Sequence, residues 1–339
     1  MEKQISFSNL EYQGQGKKTR KEIFLEKMEK IVPWKEWCEI IQPHYYERGN
    51  GRPPIDLEVM LRMYMISNWY DLSDESCEEE CISNVVFRNF IGNHIPDETT
   101  LGKFRNLLEK HNINKLILEE QVKTFAKQGI LYKQGTIVDA TFIEATDSKK
   151  ANLAGTTEYN VGIKTNKKYY GMKAHIGVDT KSGLVHSVAV SKASEHDITK
   201  AHECLHGSET VVYADAGYIG IEKRAEVCKK LADKSGEMEA VWCWKGKGKR
   251  RIKEIVHKKR NGVKFKIHKK RSQNITAKDH ENDYKKSLVR WKVENIFLIQ
   301  KHIFGFRKTR LSTIAKSENK LYMVFALANC YIHAQRKAA

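Results

Sequence analysis

The sequence predicts a helical N-terminal region followed by a mixed α/β domain, and two observations lead to this prediction. Residues 1 to about 130 carry apolar side chains at helical spacing, in stretches such as IDLEVMLRMYMISNWYDLS. From residue 135 the pattern changes to alternating, β-branched segments, beginning with GTIVDATFIEA. A chain of 339 residues is long enough for about two domains. We therefore expect a helical domain over 1–130 and an α/β domain over 131–339.

The N-terminal region reads as several short helices separated by tight turns. The stretch RGNGRPP is a loop by its Gly and Pro content, and IPDETTLGKFRNLLEKHNI begins with Pro96 and an expected N-cap at Asp97. Arg62, Lys103 and Arg105 lie among these helices. Two interpretations remain open at this point, a DNA-binding module of the helix-turn-helix kind and a helical packing domain.

The second region predicts strands and helices in an order that indicates a mixed sheet. After GTIVDATFIEA, the stretch YYGMKAHIGVDTKSGLVHSVAVSKAS reads as two strands around a tight hairpin at Asp179–Gly183. A short helix over EHDITKAHECLHG leads to a fourth strand, VVYA, which ends at Asp215. A helix, one more strand over EAVWCWKG and a late helix over about 281–304 follow. Three antiparallel strands and a helix-linked parallel strand make a mixed sheet.

The net charge indicates the class of partner. Sixty Lys and Arg against 42 Asp and Glu leave a formal charge of +18, which favours a polyanion such as nucleic acid. No apolar run approaches the ~20 residues of a membrane span, so no membrane partner is expected. Seven scattered cysteines do not resemble a disulfide framework. We therefore expect a reducing cytoplasm as the location.

The positive charge is concentrated in residues 245–271. Fourteen of these residues are Lys or Arg, including Lys249, Arg250 and Arg251, and one is acidic. So many like charges favour contact with phosphates, although a solvated basic loop would have the same composition. Trp242 and Trp244 precede this stretch, where they would either stack on an unpaired base or pack in a core.

Three carboxylates carry the expected chemistry. Asp139 interrupts an apolar strand, Asp215 ends another, and Glu294 lies on the late helix that would pack against this sheet. A buried acid is costly unless it is paired or binds a metal. Hard divalent cations prefer carboxylate oxygen, so these residues predict a site for Mg²⁺, with Mn²⁺ as a substitute. Such a site suits phosphodiester chemistry.

Arg290 and Lys301 flank Glu294 within RWKVENIFLIQK. At about 100° per residue the three charges fall on one narrow stripe of an α-helix. One interpretation places Arg290 and Lys301 against DNA phosphates beside the metal. The other is an ordinary ion pair between Arg290 and Glu294, four residues apart.

These motifs resemble a known family. TIVDATFIEA, VYADAGYIG and RWKVENIFLIQKHIFGFRKTRL look like the DDE transposases of bacterial insertion sequences, in the insertion sequence four and five group. The resemblance covers nearly the whole chain. It implies a ribonuclease-H-like catalytic domain with Asp139, Asp215 and Glu294 as catalytic metal ligands. It also implies a DNA-binding or dimerisation role for the N-terminal domain, and a basic insertion at about 225–280.

The resemblance further implies an activity and its partners. The protein would bind terminal inverted repeats as a homodimer in the bacterial nucleoid, cleave them with Mg²⁺ and join the freed 3′-hydroxyl to target DNA. The alternatives are a catalytically silent DNA-binding relative and a structure-specific nuclease of the same fold. Other expected DNA contacts are Lys173, His175, Arg307, Lys308 and Arg310, although His175 also suits a core position. The family's Tyr-x2-Arg-x3-Glu-x6-Lys signature is matched except that Ser287 replaces the tyrosine.

Overall fold

The computed structural model describes residues 16–46, 53–92, 94–146, 159–164, 167–231, 238–245, 252–259, 263–268 and 277–338. The chain divides into two compact units. The helical unit comprises Met1–Ile117, Lys301–Phe306 and Ala326–Ala339, and the sheet unit comprises Leu118–Gln300 and Arg307–Phe325. The boundary after Ile117 lies before the one predicted at residue 130. The helical unit also contains two C-terminal segments, which the predicted division placed in the α/β domain.

Short helices separated by turns make up the described part of the helical unit. Six helices lie entirely within it: α1 (Arg20–Ile31), α2 (Trp34–Ile41), α3 (Leu57–Trp69), α4 (Asp74–Ser83), α5 (Val85–Ile91) and α6 (Glu98–Lys110). The next helix is α7 (Ile113–Lys127). Large side chains at the predicted apolar positions, including Trp37, Leu61, Trp69, Phe87 and Phe104, are at most 2% exposed and form the core.

Carboxylate caps start two of these helices. Asp56 accepts hydrogen bonds from the backbone N–H groups of Glu58 and Val59 at the start of α3. Asp97 accepts one from the N–H of Thr100 at 2.8 Å at the start of α6, which confirms the predicted cap. A negative charge at a helix N-terminus is also favoured by the helix dipole.

Nine strands are found in the described part of the sheet unit. They are β1 (Gly135–Ala145), β2 (Asn160–Lys164), β3 (Lys167–Asp179), β4 (Val185–Lys192), β5 (Val211–Ala214), β6 (Met238–Lys245), β7 (Ile252–Lys259), β8 (Lys264–Ile267) and β9 (Lys308–Thr309). The described helices that follow β5 are α8 (Ala225–Leu231), α9 (Ala277–Leu298) and α10 (Ile314–Ala338). Strands β6 and β7 form a separate two-stranded sheet.

The other seven described strands form one mixed sheet. Its main order is β2-β3-β1-β5-β8, with β4 also paired to β3 and β9 to β1. Strand β1 runs antiparallel to β3 and parallel to β5. Because β1 and β3 lie in the middle, many of their apolar residues are fully buried, among them Ile137, Val138 and Ile176. The arrangement confirms the expected mixed sheet of a ribonuclease-H-like catalytic domain.

Three local features differ from the sequence prediction or go beyond it. The predicted short helix after β4 consists of two 3₁₀ turns, Asp197–Thr199 and Ala201–Cys204. Strand β2 was not predicted. The late helix ends its α-helical part at Leu298 and continues as a π-helical turn, Ile299–Ile303.

Candidate active site

Strand β1 positions Asp139 beside an open stretch of its own edge. In the described residues, β5 pairs with β1 at Gly135–Ile137 and β9 pairs with it at Glu144–Ala145, so the residues between them lack a neighbour on that side. One carboxylate oxygen of Asp139 accepts a hydrogen bond of 2.8 Å from the backbone N–H of Ala140. A central apolar strand thus presents one acid where its sheet edge is uncovered.

The partner of Asp139 is Arg290 on α9. The Nη2 atom of Arg290 donates to the other oxygen, Oδ2, of Asp139 at 2.8 Å, and both side chains are about 15% exposed. Burial raises the pKa of the Asp139 carboxyl, Arg290 lowers it and the nearby charge of Asp215 raises it, and the net shift is upward. Arg290 therefore joins α9 to β1, and the predicted ion pair with Glu294 is not the one that forms.

Asp215 follows directly after β5, the parallel neighbour of β1. It caps the 3₁₀ turn Ala216–Tyr218, and its Oδ1 accepts a hydrogen bond of 2.8 Å from the N–H of Gly217. A Cβ atom at position 217 would lie only 3.0 Å from that oxygen, so glycine allows the tight exit from the strand. Asp139 and Asp215 thus come from adjacent strands, as predicted, and they interact electrostatically.

Glu294 lies one turn after Arg290 on α9, and its side chain is exposed. Lys301 is partly buried in the π-helical turn that follows α9. The predicted alignment of Lys301 with Glu294 assumed α-helical geometry throughout, so it stays a prediction. Ser287 is exposed on the same helix, and nothing in the structure explains a serine there.

The fit of this site to a metal ion depends on its carboxylates. Asp139 and Asp215 supply hard oxygen donors, and the raised pKa of Asp139 indicates a buried charge that a cation would stabilise. Across the described ranges, no three His, Cys, Asp or Glu side chains are close enough to hold one ion. In this conformation Glu294 therefore does not join the two aspartates, and Arg290 binds the oxygen that a cation would take. The donor chemistry fits a divalent metal at Asp139 and Asp215.

Lys173 and His175 lie on the opposite face of the sheet from Asp139. Asp139 is in register with Ile176 on β3, and side chains alternate between faces along a strand. The ammonium of Lys173 is buried against Asp197 at 2.9 Å, and the Nε2 atom of fully buried His175 lies 2.7 Å from the Ser191 hydroxyl. Burial lowers the pKa of His175 to about 4. Both side chains have structural partners, which does not favour the predicted DNA contacts.

The remaining predicted DNA contacts fall into two groups. Arg307, Lys308 and Arg310 are exposed around β9, and Lys308 lies 3.1 Å from Glu144. Lys249, Arg250 and Arg251 lie outside the described residues. The backbones of Trp242 and Trp244 lie in β6, but their side chains are also outside the described part of the structure. DNA contact by these eight residues stays a prediction.

Two further side chains near the site were missed or left open by the sequence. Tyr218, which follows Asp215 closely, is fully buried in the core, and burial raises the pKa of its phenol well above the usual range. His268 follows β8, where its backbone N–H donates to the carbonyl of Ala214 at 3.3 Å. Burial and then the charge of Arg290 lower the pKa of His268. The sequence contained a signal for His268, because this residue directly follows the alternating stretch KFKI. Asp215 was identified by the same kind of position, at the end of a strand.

Comparison with known protein families identifies the class of protein that has this fold and this site. The model described as Transposase DDE domain matches residues 132–330, and the model described as Transposase domain (DUF772) matches residues 13–107. The chain belongs to the family of transposases with a DDE domain. No solved structure gives a significant match. Within the described residues, no helix is long and apolar enough to cross a membrane.

Proposed function

We propose that this protein cleaves DNA at the terminal inverted repeats of an insertion sequence and joins the ends to target DNA. The observation that supports this activity best is the ion pair between Asp139 and Arg290 beside Asp215. It brings the late helix, which carries Glu294, to the sheet edge where two acids of the family motif meet. The charge of +18 suits a DNA substrate.

Asp139 and Asp215 would hold the divalent metal that the family uses, with Glu294 as the third expected ligand. When bound, Mg²⁺ supplies Lewis acidity and favours the deprotonated form of an attacking water or hydroxyl. In cleavage, the oxygen of water bonds to phosphorus and a phosphorus–oxygen bond at the element end breaks, which leaves a 3′-hydroxyl. In joining, that hydroxyl loses its proton as its oxygen bonds to a target phosphorus, and the departing target 3′-oxygen takes up a proton.

Arg290 has a part in binding the DNA backbone in this proposal. Its Nε atom is buried without a hydrogen-bond partner in the described residues, so its guanidinium has donor capacity beyond the bond to Asp139. A guanidinium is suited to two-point contact with phosphate oxygens. Lys301 would act as a second, point-like cation. Two element ends must meet one target, so we expect a two-fold homodimer on DNA.

The test is a strand-transfer assay with purified protein, Mg²⁺, target DNA and the inverted repeats that flank its reading frame in genomic DNA. We expect joined products with the wild type and none with Asp139→Ala. The same products with Asp139→Ala would refute the assigned site. Hydrolysed ends that are never joined would instead indicate a nuclease, and tight DNA binding without cleavage would indicate a catalytically silent relative.

A further inference from the structure

Strand β2 and the start of β3 form a two-stranded ribbon at the edge of the large sheet. We call residues 160–164 and 167–170 the β2–β3 ribbon. Its register runs from Asn160 opposite Gly171 to Lys164 opposite Lys167. In the described residues, β3 begins to pair with β1 only at Gly171 and with β4 only at Met172. The first four residues of β3 therefore have β2 as their only described strand partner.

The base of the ribbon is firmly attached to the sheet unit. The hydroxyl of Tyr159, which precedes β2, donates to the carbonyl oxygens of Leu311 and Thr313 at 2.8 and 2.9 Å. The ring of Tyr169 stacks on Phe142 of β1 with centroids 5.2 Å apart. One face of the ribbon is thus packed against the sheet, so the opposite face points away from that contact.

The outer face of the ribbon exposes apolar side chains. Val161 is 50% exposed and Ile163 is 69% exposed, and these residues share a face because they are two positions apart. Exposed apolar residues on an edge strand favour unwanted pairing with other chains, so such edges are usually protected. Two adjacent exposed aliphatic side chains on an anchored strand therefore indicate an interaction surface.

The charge of the ribbon indicates what that surface binds. Residues 160–173 read NVGIKTNKKYYGMK, with four lysines and no acid. Lys167 and Lys168 are exposed, and no described carboxylate pairs with either. Repulsion between these lysines would oppose pairing of two copies through this edge. A polyanion would relieve it.

We propose that the β2–β3 ribbon enters a groove of duplex DNA next to the active site. Lys168, which is in register with Ile163 and shares its face, binds a phosphate, while Val161 and Ile163 make apolar contacts in the groove. The major groove admits a two-stranded ribbon and presents the thymine methyl group to apolar side chains. This inference rests on the proposed function only in taking DNA as the partner.

The register of β3 also gives the distance of this contact from Asp139. Lys168 precedes Ile176, the register partner of Asp139, by eight residues. At about 3.3 Å per residue the separation is roughly 26 Å, or about eight base pairs of duplex. Because Lys168 and Ile176 are an even number of residues apart, this contact lies on the same face of the sheet as Asp139.

The test measures binding of the full chain to a fluorescent duplex of arbitrary sequence, without metal, at salt concentrations from about 50 to 200 mM. The variant Lys168→Gln removes the charge on this face, and the control Lys223→Gln removes one exposed charge elsewhere in the sheet unit. We expect Lys168→Gln to reduce the slope of log affinity against log salt by about one and to weaken binding. The control variant should keep the wild-type slope.

The apolar contacts are tested separately, with the double variant Val161→Ser/Ile163→Ser. We expect it to weaken DNA binding while the salt slope stays that of the wild type. Equal effects in the ribbon and control variants, or wild-type affinity in both ribbon variants, would overturn the proposal. So would a change of oligomeric state in sedimentation without a change in DNA affinity, since the ribbon would then bind a second copy. Loss of strand transfer in the wild type would refute the proposed function and leave this binding result intact.

Discussion

Arg62 in the helical unit and Arg290 in the sheet unit both bind carboxylates, but their guanidinium groups are satisfied to different degrees. Arg62 donates to both oxygens of Glu29 at 2.7 Å, to Glu58 and to the carbonyl of Phe90. Its guanidinium also lies 4.6 Å from the ring centroid of Trp34. All of its nitrogen atoms have partners, which is the pattern of a structural residue.

Arg290 makes one described hydrogen bond, to Asp139, and its Nε atom has no partner in the described residues. A buried donor without a partner costs about 1–3 kcal/mol, so such a group needs an explanation, for example a bound anion or water. The comparison teaches that an ion pair alone does not identify a functional arginine. The number of donors left over distinguishes Arg290, which we assign to the active site, from Arg62.

Two aspartates show the same contrast through their pKa values. Asp97 accepts hydrogen bonds from the hydroxyl of Thr99 and from both the N–H and the hydroxyl of Thr100, which lower its pKa to about 2. Burial raises the pKa of Asp139 despite its arginine. The carboxylate of Asp97 is stabilised by the fold, whereas burial disfavours the charged form of Asp139.

The largest effect is expected from Asp139→Ala. Loss of a metal ligand should remove several kcal/mol of transition-state stabilisation, which corresponds to about a thousand-fold loss of strand transfer. Glu144→Ala is the matched control, because Glu144 lies on the same strand and its described ion pair is with the exposed Lys308. Product yields in Mg²⁺ measure both. Comparable losses in the two variants would mean that the substitutions disrupt strand β1, and that the loss does not report on a metal ligand.

The arginine comparison predicts opposite consequences for two further variants. Arg62→Ala should lower the free energy of unfolding by about 2–3 kcal/mol. This value allows for solvent screening of the two ion pairs, because Glu29 and Glu58 are each more than 40% exposed. Arg290→Ala should cost about 1 kcal/mol of stability but about a hundred-fold in cleavage rate. Urea unfolding and initial cleavage rates measure the two effects. The contrast fails if Arg290→Ala loses stability and activity in the same proportion as Arg62→Ala.

Lys173→Gln separates the structural from the DNA-binding interpretation of that lysine. Since Lys173 is buried against Asp197 and the carbonyl of Glu195, its removal should lower the free energy of unfolding by about 1–2 kcal/mol. DNA affinity and its salt dependence should equal those of the exposed Lys223→Gln control. A smaller salt slope in Lys173→Gln alone, with normal stability, would restore the DNA contact that the sequence predicted.

The smallest effect is expected from the helix cap. Asp97→Ala should lower the free energy of unfolding by about 1 kcal/mol at neutral pH. The folded-state pKa of about 2 lies below the ordinary value of 3.8, so the contribution is present above pH 4 and is lost as pH falls toward 2. The difference between wild type and variant should therefore shrink over that window in denaturant titrations. A constant difference at every pH would assign the effect to helix propensity.

Much of the architecture followed from patterns that are local in the chain. Apolar periodicity predicted the helices, alternation predicted β1, β3 and β4, and the turn at Asp179–Gly183 followed from its glycine, which adopts φ +61°. Strand β2 was missed because five residues interrupted by a glycine carry little alternating signal. The predicted short helix after β4 consists of 3₁₀ turns instead, and the side chain of Asp197 in the first of them pairs with Lys173.

The sequence by itself determined the family and the mixed sheet and predicted the three acids, because these depend on residue types at fixed spacings. Only the tertiary structure decided which partner Arg290 takes, since Asp139 is 151 positions away and Glu294 only four. It also decided that Lys173 and His175 lie on the face opposite Asp139, because strand register sets the face of every side chain. Spacing reveals which groups are present, and packing decides which of them are satisfied.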